Sequence, residues 1–185
     1  MAVHITGGDF GGRRLETLSG LSARPTSSSV RKAIFSILGG SIIGAKVIDF
    51  FCAGGTLGIE ALSQGAESCC FVENGYKAIR VLKKNIENLQ LWESSELLAM
   101  NVLSSIRVLE KKGEGFDILF ADPPYGKPLA LPLINRIQTS NILNEGAIMV
   151  LEISSRNKIR FPASIEVIKS RVSGDTAIHF ISFDS

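Results

Sequence analysis

At 185 residues, 45% hydrophobic and 21% charged, the chain can bury the core of one domain and is too ordinary in composition for a disordered or fibrous protein. A formal charge of +2, no apolar run of membrane-spanning length and no basic-then-apolar leader argue against membrane and strongly polyionic classes. Cys52, Cys69 and Cys70 form no Cys-x-x-Cys pair, so buried free thiols in a reducing cytoplasm are expected rather than a disulfide framework or a metal site.

The first quarter is glycine-rich and basic. Two short strands are expected near Val3–Thr6 and Arg13–Glu16, joined through a tight turn. Ser27, Ser28 and Ser29 offer helix caps, and Val30, Ala33, Ile34, Ile37 and Leu38 recur at the spacing of one apolar helix face. Arg31 and Lys32 fall off that stripe, and Gly39-Gly40 ends the helix. Residues 1–45 hold Arg13, Arg14, Arg24, Arg31 and Lys32 against Asp9 and Glu16, so the whole positive excess lies there. That distribution suggests an anionic partner.

From Lys46 onward strands and helices alternate. Strands are expected at Val47–Phe51, Cys69–Glu73, Glu96–Met100, Phe116–Ala121 and Ala147–Ile153. Helices are expected at Leu57–Gln64, through Ile79, Leu82, Ile86 and Leu89, at Leu103–Lys111 and at Leu129–Thr139. Ile165–Val172 and Thr176–Phe183 read as an antiparallel hairpin turned at Gly174. The pattern predicts an α/β fold with a doubly wound, Rossmann-like, largely parallel sheet. It divides into a hairpin-and-helix extension over 1–45 and a main domain over 46–185.

In such a sheet the ligand sits beyond the carboxyl ends of the strands, at the switch point. Here the first strand of the main domain runs into Asp49-Phe50-Phe51-Cys52-Ala53-Gly54-Gly55-Thr56-Leu57-Gly58, and Glu73 closes the second. The glycines allow a sharp turn and close approach, while Glu73 is placed to take both hydroxyls of a ribose. Either a dinucleotide or S-adenosylmethionine fits, but Asp49 favours the methyl donor, whose cationic amino-acid end gains from a carboxylate. The expected cofactor contacts are Asp49, Phe51, Ala53, Gly55, Leu57, Glu73 and Asn74, with Asn101 and Val102 after the third strand meeting the adenine. An Asn in that place is also an ordinary turn residue.

The fourth strand stops at Asp122-Pro123-Pro124-Tyr125. Two prolines make a rigid loop poor in donors. Asp122 and the Pro123 carbonyl become free acceptors, with the aromatic face of Tyr125 beside them. That set can hold an exocyclic –NH2 by both hydrogens, aim its lone pair and stack its base, with Pro124 stiffening the loop. A turn in which Asp122 only caps the loop would use the same residues.

Taken together the residues are similar to the RsmD family, bacterial methyltransferases of 16S ribosomal RNA. The resemblance runs nearly end to end. It rests on Ile5-Thr6-Gly7-Gly8 with Gly12-Arg13-Arg14-Leu15, on Arg24-Pro25-Thr26 with Val30-Arg31 and Phe35, and on Asp49-Phe50-Phe51. It continues through Leu57-Gly58-Ile59-Glu60-Ala61, Val72-Glu73, Asp122-Pro123-Pro124-Tyr125 and Gly174-Asp175-Thr176. One departure lies in the cofactor loop, where the family's Phe-Ala-Gly-Ser-Gly is Phe51-Cys52-Ala53-Gly54-Gly55. The resemblance implies S-adenosylmethionine as cofactor, an N2-methylguanine product, and 16S rRNA in the small subunit or its assembly intermediate as partner. A cytoplasmic monomer is the expectation, with RNA met by Arg13, Arg14, Arg24, Thr26, Arg31 and Lys32. Rival readings are an amino-methyltransferase of adenine or cytosine in DNA or another RNA, and a non-catalytic nucleotide- or RNA-binding module.

Overall fold

The computed structural model describes residues 3–18, 26–124, 128–157 and 159–183. Two short strands, β1 (Val3–His4) and β2 (Arg14–Leu15), pair antiparallel ahead of helix α1 (Ser28–Leu38). Then follow β3 (Lys46–Phe50), α2 (Thr56–Ser63), β4 (Ser68–Glu73), α3 (Tyr76–Leu89), β5 (Ser95–Ala99) and α4 (Val102–Lys112). The chain closes with β6 (Phe116–Ala121), α5 (Ala130–Gln138), β7 (Leu143–Ser154), β8 (Glu166–Ser173) and β9 (Thr176–Ser182).

A seven-stranded sheet runs in the order β5-β4-β3-β6-β7-β9-β8. β3 to β7 are parallel, while β9 joins β7 antiparallel and β8 forms the outer edge. The expected hairpin is therefore part of the main sheet, turned at Gly174 with φ 59°. The chain goes outward from β3 through β4 to β5, then returns to the other side of β3 as β6. This reversal puts the switch point between β3 and β6.

Both faces of the central strands β3, β4 and β6 are buried, so successive residues of one strand feed different cores. Val47 with Ile118 and Phe120 packs under α1, α2 and α3, whereas Ile48 and Phe50 with Leu119 and Ala121 pack under α4 and α5. Phe35 of α1 meets Phe120 with ring centroids 5.7 Å apart. Ser27 caps α1 by accepting from the Val30 N–H. Val3, Ile5 and Leu15 join the core beneath α1 to α3.

The loop between β1 and β2 seats on the end of α2. Asp9 N–H donates to the Ser63 carbonyl, and the Ser63 hydroxyl donates to the Gly7 carbonyl. A side chain at Gly8 would place its Cβ 1.7 Å from the Ser63 oxygen, and its φ of 73° adds a second reason for glycine. Glu60, 1% exposed, accepts from the Thr6 N–H through both oxygens, from the Thr6 hydroxyl and from Gln64.

Arg31 corrects the sequence reading. It was expected off the apolar stripe, free to meet RNA, but is 1% exposed. Its Nε lies 3.5 Å from Glu60, and its other nitrogens donate to the Thr26 and His4 carbonyls. A guanidinium long enough to cross the helix flank finds a buried carboxylate there, and the pair ties the N-terminal segment to α2. Lys32 is exposed.

Candidate active site

β3 ends at Phe50, one residue earlier than expected, because Phe51 turns into the left-handed region at φ 58°. Ala53 follows at φ 48° and Gly55 at φ 81°, so the chain folds back sharply before α2. Phe51 and Ala53 hold this conformation against the steric cost of a Cβ, about 1 kcal/mol or more each. Neighbours fix the turn. Glu73 at the end of β4 accepts from the Ala53 N–H (3.0 Å), and Asn85 of α3 donates to the Gly54 carbonyl (2.9 Å). Gly58 is forced by space, since a Cβ there would lie 2.4 Å from the Phe71 ring.

Asp49 sits at the same edge, 3% exposed, and its carboxylate accepts from the Gly58 N–H at 2.9 Å. Burial pushes its pKa up to about 7; the Gly58 N–H opposes the rise and Glu73 adds to it. Glu73 also accepts from the Asn74 and Gly75 N–H groups, at 2.8 and 2.7 Å, which orients its carboxylate.

Across the switch point, Asp122 directly follows β6. Its carboxyl is held well above the ordinary range by burial, then by Glu152 and by Asp49. Ala121 and Leu151 are register partners, so Asp122 and Glu152 follow them side by side on adjacent parallel strands. Glu152, 4% exposed, accepts from the Thr26 hydroxyl at 2.9 Å.

Asp49, Glu73 and Asp122 open on one cavity of ≈ 320 Å³, large enough for much of a nucleoside-sized ligand. Asp49, Phe51, Ala53, Leu57, Glu73 and Asn74 line it, and so do Asp122, Pro123 and Pro124. Gly55 stands behind the lining as the N-cap of α2. Thr26, expected on RNA, is instead buried in the cavity wall. Thr17 and Leu18 also line the cavity and were missed. Neither has catalytic chemistry of its own, and only the fold brings the end of the N-terminal hairpin over the loop.

Asn101 and Val102 are absent from this lining. Asn101 Oδ1 accepts from the Leu103 and Ser104 N–H groups and caps α4, while Val102 is buried beneath that helix. The competing turn reading of Asn101 describes what the side chain does here. Arg13 donates to the Asn88 carbonyl at the end of α3, and Arg14 is exposed. Arg24 and Tyr125 lie outside the described residues. Among the described residues no cluster of three or more His, Cys, Asp or Glu could hold a metal ion.

The donor set suits a cationic nucleoside ligand. Among the described residues that line the cavity, carboxyl groups are present and no Lys or Arg is there to meet a pyrophosphate.

Comparison with known proteins gives a consistent result. The family model described as Conserved hypothetical protein 95 matches residues 3–182. Ribosomal RNA small subunit methyltransferase D of Escherichia coli (strain K12) is 30% identical over 176 residues, 95% of this chain and 87% of that protein. Its namesake in Haemophilus influenzae is 29% identical over 173 residues, covering 93% and 89%. Among solved structures, yhhF from Escherichia coli superposes with a TM-score of 0.86 at 27% identity, over 98% of this chain and 97% of that one. A hypothetical protein of Thermus thermophilus gives 0.82 at 29% identity, over 96% and 98%.

Proposed function

The chain belongs to the Conserved hypothetical protein 95 family, the RsmD family of the sequence resemblance, and from that premise we propose that it methylates the N2 amine of a guanine in 16S ribosomal RNA, using S-adenosylmethionine. The observation that carries the reading is the shared cavity. The amine-gripping residues Asp122 and Pro123 line the same ≈ 320 Å³ space as the loop after β3 and Glu73.

In this reading the Asp49–Leu57 loop and Glu73 hold the cofactor. Glu73 has three backbone N–H partners that fix its carboxylate, two on Oε1 and one on Oε2, leaving one acceptor site on Oε2 for a ribose hydroxyl. Asp49 faces the cationic end. S-adenosylmethionine, when bound, supplies an electrophilic methyl group on a positively charged sulfur.

Asp122 and the Pro123 carbonyl accept the two hydrogens of the guanine amine, so its lone pair points along one direction. Tyr125, the last residue of the tetrapeptide, supplies the stacking face, and the guanine is flipped or already looped out. Asp122 must be ionised to accept both strongly and directionally. Burial and two neighbouring carboxyls push its pKa up, and a positive charge in the cavity opposes that rise and favours the ionised form. After transfer the ammonium product loses a proton to Asp122 or to water. The gain comes from orientation and fixed dipoles rather than from a strong base.

The names of the relatives direct this reading to small-subunit RNA. It is tested by incubating the protein with methyl-labelled cofactor and either small ribosomal subunits or naked 16S rRNA. Label in the RNA of either substrate is the expected result, and label in neither overturns the reading.

A further inference from the structure

The tetrapeptide and the β3 loop account for the reacting base and the cofactor, but leave unexplained the outer face of α3. Lys77, Arg80, Lys83 and Lys84 are all exposed there, with Tyr76 beside them and Glu87 as the sole acid of the helix. At 3.6 residues per turn these side chains share roughly a third of the helix circumference. Ala78, Leu82, Asn85, Ile86 and Leu89 take the buried side.

Stability does not explain this arrangement. The first turn of α3 holds Lys77 and no acid, although the positive end of the helix dipole lies there. Tyr76 is 74% exposed, with the Arg80 guanidinium 6.0 Å from its ring centroid. An open aromatic ring among cations suits a base stacked over a phosphodiester chain.

The face is continuous with two neighbours. Asn74 and Ala78, on either side of Tyr76 and Lys77, line the cavity, so the face begins at its rim. On the other flank Arg13 donates to the Asn88 carbonyl, and Glu16 accepts from Lys84 at 3.1 Å and, through its own N–H, donates to Asn85. Residues 3–18 and α3 together bring six cations, Arg13, Arg14, Lys77, Arg80, Lys83 and Lys84, against Asp9, Glu16 and Glu87. That excess is larger than the +2 of the whole chain.

We propose that the exposed face of α3, with the adjoining β1–β2 hairpin, is the docking surface for the single-stranded RNA that flanks the modified nucleotide. Tyr76 stacks on one base, and Lys77, Arg80 and Lys83 meet phosphates. This assignment rests on the methyltransferase reading for its substrate but uses none of the catalytic residues. It also moves the RNA contact from α1, where Arg31 is buried, to α3.

The test uses the full chain and a fluorescein-labelled oligouridylate of about 20 nucleotides, a probe with no guanine to occupy the cavity. Lys77→Ala/Arg80→Ala/Lys83→Ala should weaken binding at least about tenfold at low salt. It should also flatten the log–log salt slope by about 2, since each phosphate neutralised on a single strand contributes roughly 0.7. Calorimetry should give wild-type affinity for S-adenosylmethionine. Lys77→Glu should melt at or above the wild-type temperature while binding RNA more weakly, which separates binding from folding. Tyr76→Ala should weaken binding with the salt slope unchanged, and Tyr76→Phe should restore it. Wild-type affinity and slope in the triple variant would overturn the proposal, even if the protein methylates small subunits. A wild-type protein that binds the probe through these cations but methylates no RNA would leave the docking surface standing and the methyltransferase reading refuted.

Discussion

Replacing Asp49 by Asn should stabilise the ligand-free protein while weakening its hold on S-adenosylmethionine. An aspartate ionises near 4 in an unfolded chain, whereas in this cavity Asp49 is pushed up to about 7 by burial. Between those pH values the native state keeps the proton that the unfolded state has lost. Stability therefore falls as pH rises from about 4 to about 7 and stays low above it. A rise of about three pH units, at roughly 1.4 kcal/mol each, gives an upper bound of about 4 kcal/mol at pH 8. The amide introduced by Asp49→Asn carries no charge, yet its oxygen can still accept from the Gly58 N–H, so the fold loses no hydrogen bond. A gain of about 2–4 kcal/mol at pH 8 corresponds to roughly 5–15 °C in melting temperature for a chain of this length. At pH 5 the advantage should shrink to about 1.5 kcal/mol or less. Urea denaturation at pH 8 and pH 5, without ligand, measures both, and calorimetry with S-adenosylmethionine should show weakened binding for the variant. Equal effects at the two pH values, or destabilisation at pH 8, would refute the argument that a buried carboxylate is maintained here at the expense of stability.

Asp122→Ala should cut methyl transfer by about 10²–10³, the usual cost of losing one fixed hydrogen-bond partner, and leave cofactor affinity within a few-fold by calorimetry. Glu73→Ala should weaken the cofactor by roughly 1.5–3 kcal/mol, since it removes a charged ribose acceptor and the anchor of the Ala53 N–H; unchanged affinity would contradict the ribose assignment. Ala53→Gly relieves a left-handed alanine but loosens the unfolded chain, so stability should change by no more than about 1 kcal/mol and cofactor affinity should not fall. Arg31→Met should cost about 3–5 kcal/mol in urea denaturation by stranding buried Glu60, with the salt slope of RNA binding unchanged.

The alternating pattern after Lys46 was legible because both faces of a parallel sheet demand apolar runs, and Gly55 and Gly174 punctuate them at positions with positive φ. The cavity was legible where its chemistry is local. Asp49, Glu73 and Asp122 each stand at or just past the end of a strand, and strand ends are predictable from pattern. What the sequence hid depends on distance along the chain. Arg31 finds Glu60 across 29 residues, and Thr26 finds Glu152 across 126, so no local spacing marks either as buried. Thr17 and Leu18 reach the cavity after Glu16, whose backbone N–H and carbonyl are both bonded to Asn85 of α3, 69 residues away. Asn101 shows the reverse case, a residue placed by strand order whose side-chain oxygen accepts from two backbone N–H groups, a use the sequence also offered.

The central claim, methyl transfer to a guanine N2 held by Asp122 and Pro123, is tested most directly by identifying the product. Small ribosomal subunits lacking the modification are incubated with the protein and methyl-labelled S-adenosylmethionine, and the 16S rRNA is digested to nucleosides for mass spectrometry. The account predicts labelled N2-methylguanosine with wild-type protein and a yield about 10²–10³ lower with Asp122→Ala at early times. Label on adenosine or cytidine, or N2-methylguanosine formed equally well by the variant, would contradict it.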